Sequence, residues 1–160
     1  MKSEKSSFKQ FKLNRQILEA VFEVGYTDPT PIQEKAIPAI LGGHDIFGIA
    51  QTGTGKTAAY LLPILMKLKY AQGHHPRCII LAPTRELIMQ IFEQFKVFAK
   101  NTDLRAVCLY GGIGAKTQIE QIQEGTDVLI TTTGRLLEIY HKEALFLRDI
   151  NTLVWTKQTR

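Results

Sequence analysis

The segment Ala50-Gln-Thr-Gly-Thr-Gly-Lys-Thr57 constrains this chain more than any other. It has the form [AG]-x4-G-K-[ST], with Ala50 in place of the glycine of the strict pattern. It follows a short apolar run, Asp45–Ala50, and precedes an apolar stretch of helical periodicity from Lys56 to Tyr70. That spacing predicts strand, loop and helix, the setting in which such a loop binds phosphate. Each residue type has a physical reason. Gly53 and Gly55 let the main chain close around phosphate oxygens where a Cβ would intrude. The freed amides of Gln51, Thr52, Gly53 and Thr54, and those of the helix N-terminus, then face the anion. Lys56 would reach the outer phosphates, and the Thr57 hydroxyl would ligate Mg²⁺.

The rest of the chain alternates in the same manner. Helices are expected over Asn14–Val24, from Pro31 towards Leu41, over Arg85–Lys100, from Gly112 to Gly125 and over Arg135–Lys142. Apolar strands are expected over Arg77–Ala82, Leu104–Tyr110 and Asp127–Thr131, with another starting at Asn151–Val154. Pro63 is expected to kink its helix. Nearly continuous apolar strands separated by helices call for an α/β fold, a parallel sheet with helices on both faces. The 160 residues suit one domain. Cys78 and Cys108 sit inside apolar runs and read as reduced core thiols with no disulfide partner, which fits a cytoplasmic protein. No signal peptide and no membrane span are expected. The four histidines show no metal-ligand spacing.

Five further features bear on function. They are Phe8, the segment Gly25-Tyr26-Thr-Asp-Pro-Thr30-Pro-Ile-Gln33, then Pro83-Thr84-Arg85-Glu-Leu, then Gly111-Gly112, then Thr132-Thr-Gly134-Arg135. With the phosphate loop, and in this order, they resemble the DEAD-box ATP-dependent RNA helicases over about residues 8 to 154. An unrelated P-loop kinase or NTPase would not carry the set. The resemblance implies a P-loop RecA-like sheet and ATP or ADP as cofactor with Mg²⁺. Gln33 would bond the adenine edge, Phe8 would stack on the base, and Tyr26 would belong to the same cofactor site. Pro83, Thr84, Arg85, Gly111, Gly112, Thr132, Gly134 and Arg135 would lie along an RNA backbone, making contacts that do not read base sequence.

Plainer readings stand beside these. Thr30-x-x-Gln33 is also a capping box. Phe8 could staple the first helix, Thr84 could cap its helix, Gly111-Gly112 could be an ordinary turn, and Arg135 could be a surface residue. Thr133 stands where the family usually has proline, which is expected to loosen that turn.

The acidic motif that names the family is missing. After Val154 the chain reads Trp-Thr-Lys-Gln-Thr-Arg, and no Asp or Glu follows Asp149. One deleted base would account for this, a genuinely divergent tail being the alternative. Suitable codons for Leu-Asp-Glu-Ala-Asp-Lys-Met, shifted by one, translate as those six residues and then reach a stop if the following codon begins with A. On this reading residues 1–10 are a polar extension containing Phe8, 11–154 a RecA-like ATP-binding domain incomplete at its C-terminus, and 155–160 an aberrant tail. Net charge follows the tail. The chain carries +5, but Lys157 and Arg160 belong to the last six residues, so charge says little about RNA. Without the two acids, hydrolysis is expected to be nearly lost while ATP and RNA binding elements remain. The alternative is a non-catalytic binding module or a non-functional remnant. The strand expected to sit beside the phosphate-loop strand in such sheets would also be missing, leaving exposed edges and low solubility.

Overall fold

Apolar spacing decides most of the helices in this computed structural model, which describes residues 7–157. The chain forms two compact units. One holds the described residues up to Lys69 together with Lys96–Thr102; the other holds Tyr70–Phe95 and the described residues from Asp103 onward.

The first unit is helical. A 3-10 turn, Phe8–Phe11, precedes α1 (Arg15–Glu23), α2 (Pro31–Leu41) and α3 (Lys56–Leu68). Asn14 starts α1, its side chain accepting from the Ile17 amide at 2.9 Å. Thr30 and Pro31 start α2 as the sequence predicts, with proline at the first helical position, where no amide is needed. α2 packs along α3, and α1 also touches α3. Ile17, Ile37, Leu61, Leu62 and Leu65 are fully buried, each contributing about 1.5–3 kcal/mol of transfer free energy. Pro63 does not break α3, which runs on to Leu68. The segment Lys96–Thr102 is tied in by a Lys100–Glu23 ion pair and by the Asn101 side chain, which donates to the Gln16 carbonyl at 3.3 Å.

One expected strand is absent. Residues 44–50 are irregular, and Phe47 and Ile49 are 92 % and 78 % exposed. A strand exists only through hydrogen bonds to a neighbour, and no described strand pairs with Asp45–Ala50. The phosphate loop is therefore entered from irregular chain, not from a strand.

The second unit is a parallel α/β layer. It contains β1 (Cys78–Leu81), α4 (Arg85–Phe98, whose last turn belongs to the first unit), β2 (Ala106–Leu109), α5 (Ala115–Glu124), β3 (Val128–Thr131), α6 (Thr133–His141) and β4 (Thr152–Trp155). The sheet order is β2-β3-β1-β4, with all three pairings parallel. Ile79 stands opposite Leu129 and Leu153, and Val107 opposite Leu129. On that face Ile79, Val107, Leu109 and Leu129 form a core with Ile122 of α5 and Ile139 of α6. On the opposite face Cys78, Ile80, Val128 and Ile130 of the two central strands are fully buried as well. Burial on both faces explains why the strands are apolar runs without alternation. β4 is an edge strand. Leu153 and Trp155 are 62 % and 73 % exposed, and Trp155, at the start of the tail, pairs with Leu81.

A charged clasp closes the end of the sheet where its strands begin. Asp127 is fully buried and accepts from Arg77 Nη2 at 2.9 Å, Arg105 Nε at 3.2 Å, and the amides of Arg105 and Gln72 at 2.9 and 3.1 Å. Burial by itself raises its pKa. The bonds from Arg105 and Arg77 and the two amides outweigh this and hold the carboxyl below its ordinary value.

Candidate functional site

In the first unit the candidate site is the loop that opens α3. Gly53 and Gly55 have φ of +84° and +76°, in the left-handed region that glycine enters without strain. Gly55 is the N-cap of α3, so the helix starts directly at the loop and its N-terminal dipole end faces it. No acidic residue lies in that first turn to offset the dipole. The Thr54 hydroxyl donates to the Gln51 carbonyl at 2.6 Å, closing the loop on itself. Lys56 and Thr57 are half-buried; Gln51, Thr52 and Gly53 are exposed. No atom lies within 4 Å of where a Cβ of Gly53 would stand.

Gln33 joins this loop from α2. It is 1 % exposed. Its Oε1 accepts from the Thr30 amide at 2.9 Å, which is half of the capping box, and its Nε2 donates to the Gly55 carbonyl at 3.1 Å. A Cβ at Gly55 would collide with that Nε2. Gly55 is thus required twice, for its φ and for the approach of Gln33.

The aromatic residues form a cluster of their own. Phe8 stacks on Tyr26 at 6.1 Å between centroids and meets Phe11 edge-on at 5.8 Å; Tyr26 also faces Phe98 at 6.0 Å. Phe8 is completely buried, so neither of its faces is open to a base in this structure, while Tyr26 is half-buried.

In the second unit the remaining residues gather at the end of the sheet where its strands finish. Thr84 caps α4, its hydroxyl accepting from the Leu87 amide at 3.2 Å. Pro83 and Arg85 are exposed, and the Arg85 guanidinium lies 4.6 Å above the Tyr110 ring. Gly111 and Gly112 are exposed, with Gly112 at φ +90°. Thr132 is the N-cap of α6, its amide bonded to the Leu109 carbonyl at 3.2 Å, and Gly134 is exposed. Thr133 takes the first helical position, which suits proline but tolerates threonine. Arg135 differs from the others. It is 8 % exposed, and Nε, Nη1 and Nη2 donate to Gln118 Oε1, Glu138 Oε2 and the Ile113 carbonyl at 2.9, 2.9 and 2.6 Å.

Sequence patterns did not single out Gln118. It lies in a polar helix, Ala115–Glu124, and reads as solvated. Its one sign is position: it stands four residues before Ile122 and so shares the buried stripe.

A family description, DEAD/DEAH box helicase, matches residues 30–155. The chain belongs to the DEAD/DEAH box helicase family. It is 46 % identical over 141 residues to the DEAD-box ATP-dependent RNA helicase RhpA of Helicobacter pylori (strain B128), covering 88 % of this chain and 28 % of that protein. It is 42 % identical over 160 residues to the ATP-dependent RNA helicase DBP10 of Saccharomyces cerevisiae (strain ATCC 204508 / S288c), covering 99 % and 16 %. To the probable ATP-dependent RNA helicase DDX4 of Bos taurus it is 40 % identical over 162 residues, covering 96 % and 22 %. The chain thus spans less than a third of the length of these relatives. The helicase match ends at Trp155, the last residue of β4. No helix among the described residues is long and apolar enough to cross a membrane, and Cys78 and Cys108 are free thiols.

Proposed function

We propose that this chain is the front part of an ATP-dependent RNA helicase, able to bind ATP or ADP and the RNA backbone, and unable to hydrolyse ATP by itself. The observation that carries the nucleotide half is the glycine loop opening α3, with Gln33 tied to its Gly55 carbonyl. The open space at Gly53 fits a polyphosphate, which takes its hold from main-chain amides and from the helix dipole. Gln51, Thr52, Gly53, Thr54 and Gly55 would surround it, with Lys56 on the outer phosphates. The half-buried Thr57 hydroxyl, in the first turn, suits a hard cation that keeps most of its waters, as Mg²⁺ does.

Gln33 uses one Nε2 hydrogen and one Oε1 lone pair inside the protein; since the side chain is 1 % exposed, its second donor and acceptor would meet an adenine edge only once the pocket around it opens on binding. Tyr26 would form the side of the base pocket. Phe8 would support Tyr26 from beneath, since its own ring is buried. For RNA, the exposed Pro83, Arg85, Gly111, Gly112 and Gly134 and the helix caps Thr84 and Thr132 offer amides, hydroxyls and one cation at a single sheet end. Such groups read phosphates and 2′-hydroxyls. Arg135 would act by holding this end together. Trp155 stands at the leucine of the family motif and Thr156, Lys157 and Thr159 at its three acids, so the chain would have no carboxylate there to hold Mg²⁺ or to orient a water.

Fluorescently labelled ATP and labelled single-stranded RNA, titrated into the chain and into Lys56→Ala, test this. Micromolar ATP affinity that falls at least about tenfold in the variant supports the reading. Equal affinity in both would overturn it.

A further inference from the structure

Two segments assigned above to RNA meet at one buried amide, and a third reaches it through the Tyr110 ring. Gln118 is 2 % exposed, and both of its polar atoms are engaged. Oε1 accepts from Arg135 Nε at 2.9 Å, and Nε2 donates to the Tyr110 carbonyl at 3.1 Å. The amide can point only one way, because a guanidinium offers only donors and a carbonyl only acceptors. Arg135 in turn donates to the Ile113 carbonyl at 2.6 Å. Tyr110 and Ile113 flank Gly111-Gly112, so the turn is held at both ends, on entry by Gln118 and on exit by Arg135.

We propose that Gln118 is a positioning residue that, through Arg135, fixes the Gly111–Gly114 turn in the shape that presents its main chain to an RNA phosphate. The proposal rests on the RNA reading given under Proposed function. The turn needs such a device. Gly111, Gly112 and Gly114 have no side chain to pack, Ile113 is exposed, and no atom lies within 4 Å of a Cβ placed on any of the three glycines. Left alone, such a turn samples many shapes, and ordering it would cost binding free energy. The clamp also reaches the segment before α4. Tyr110, whose carbonyl Gln118 holds, supports Arg85 on its ring face at 4.6 Å. One side chain therefore connects the segments around Arg85, Gly111-Gly112 and Arg135.

The variants separate the two arms. Gln118→Glu keeps an acceptor for Arg135 but cannot donate to the Tyr110 carbonyl; Gln118→Met removes both bonds at similar length. Arg135→Lys keeps the charge but loses the fork. Each is made in the chain and followed by hydrogen exchange at residues 111–114, by anisotropy with labelled oligouridylate, by labelled ADP binding and by thermal melting. Losing one or two hydrogen bonds predicts amide exchange at 111–114 faster by about fivefold to tenfold, and RNA affinity lower by a similar factor. ADP affinity should stay within about twofold, because the turn is not part of the nucleotide loop. Should Gln118→Met fail to fold, Gln118→Glu and Arg135→Lys carry the comparison. A lower melting temperature with unchanged exchange at 111–114 would show Gln118 to be only a core amide and overturn the proposal. Faster exchange in the variants with no RNA binding by the unmodified chain would keep the clamp but overturn its purpose, and with it the RNA reading.

Discussion

Replacing Asp127 by asparagine should destabilise the sheet-bearing unit by about 3 kcal/mol. The figure follows from the donors that converge on the carboxylate. Oδ1 accepts from Arg77 Nη2, Arg105 Nη2 and the Gln72 amide; Oδ2 accepts from Arg105 Nε and the Arg105 amide. An asparagine turns one of these oxygens into an NH₂ group facing donors. In one orientation two bonds are lost, in the other three. A lost charge-assisted bond is worth about 1.5–3 kcal/mol and a neutral one about 1. Arg105 recovers part of this by hydration, its side chain being 33 % exposed, whereas that of Arg77 is 12 % exposed. The folded carboxyl has a pKa below the unfolded one. Its contribution is therefore complete above about pH 4 and is lost as pH falls through the folded value. Urea denaturation followed by circular dichroism should show the midpoint of Asp127→Asn well below that of the parent at pH 7, with the gap narrowing below pH 4. A loss under about 0.5 kcal/mol, the range of ordinary surface changes, would refute the assignment of Asp127 as the clasp.

Three other outcomes are expected. Gly55→Ala would place a Cβ in the left-handed region and against Gln33 Nε2, costing about 1 kcal/mol or more and lowering ATP affinity, as calorimetric titration would read. Burial pushes the Cys78 thiol up to about 12, so alkylation at pH 8 followed by mass spectrometry should label the half-buried Cys108 first and leave Cys78 until the chain unfolds. Phe47→Ser with Ile49→Ser should change stability by less than about 0.5 kcal/mol each while raising solubility in a precipitation assay, because both side chains are already largely in water.

Where a residue's state depends on near neighbours, the sequence revealed it. β1 and β3 are apolar runs whose burial on both faces leaves little choice, and Asn14, Thr30 and Thr84 cap helices that begin within three residues of them. Asp45–Ala50 has the same apolar character as β1 and is not a strand, because strand formation depends on a partner rather than on the run itself. The candidate site divides in the same way. The glycine loop is legible because its geometry is written in consecutive residues. The capping half of Gln33 is legible at a spacing of three, while its bond to Gly55, 22 residues away, is not. The two arms of Gln118, eight and 17 residues long in sequence, and the clasp on Asp127, reaching 50 residues to Arg77, leave no local trace.

Hydrogen exchange at Gly53–Ala58, with and without ATP and Mg²⁺, bears most directly on the central claim that main-chain amides at the start of α3 grip a polyphosphate. Slower exchange confined to those amides and to Gln33, absent in Lys56→Ala, is the predicted result. Exchange there unchanged at saturating nucleotide would contradict it.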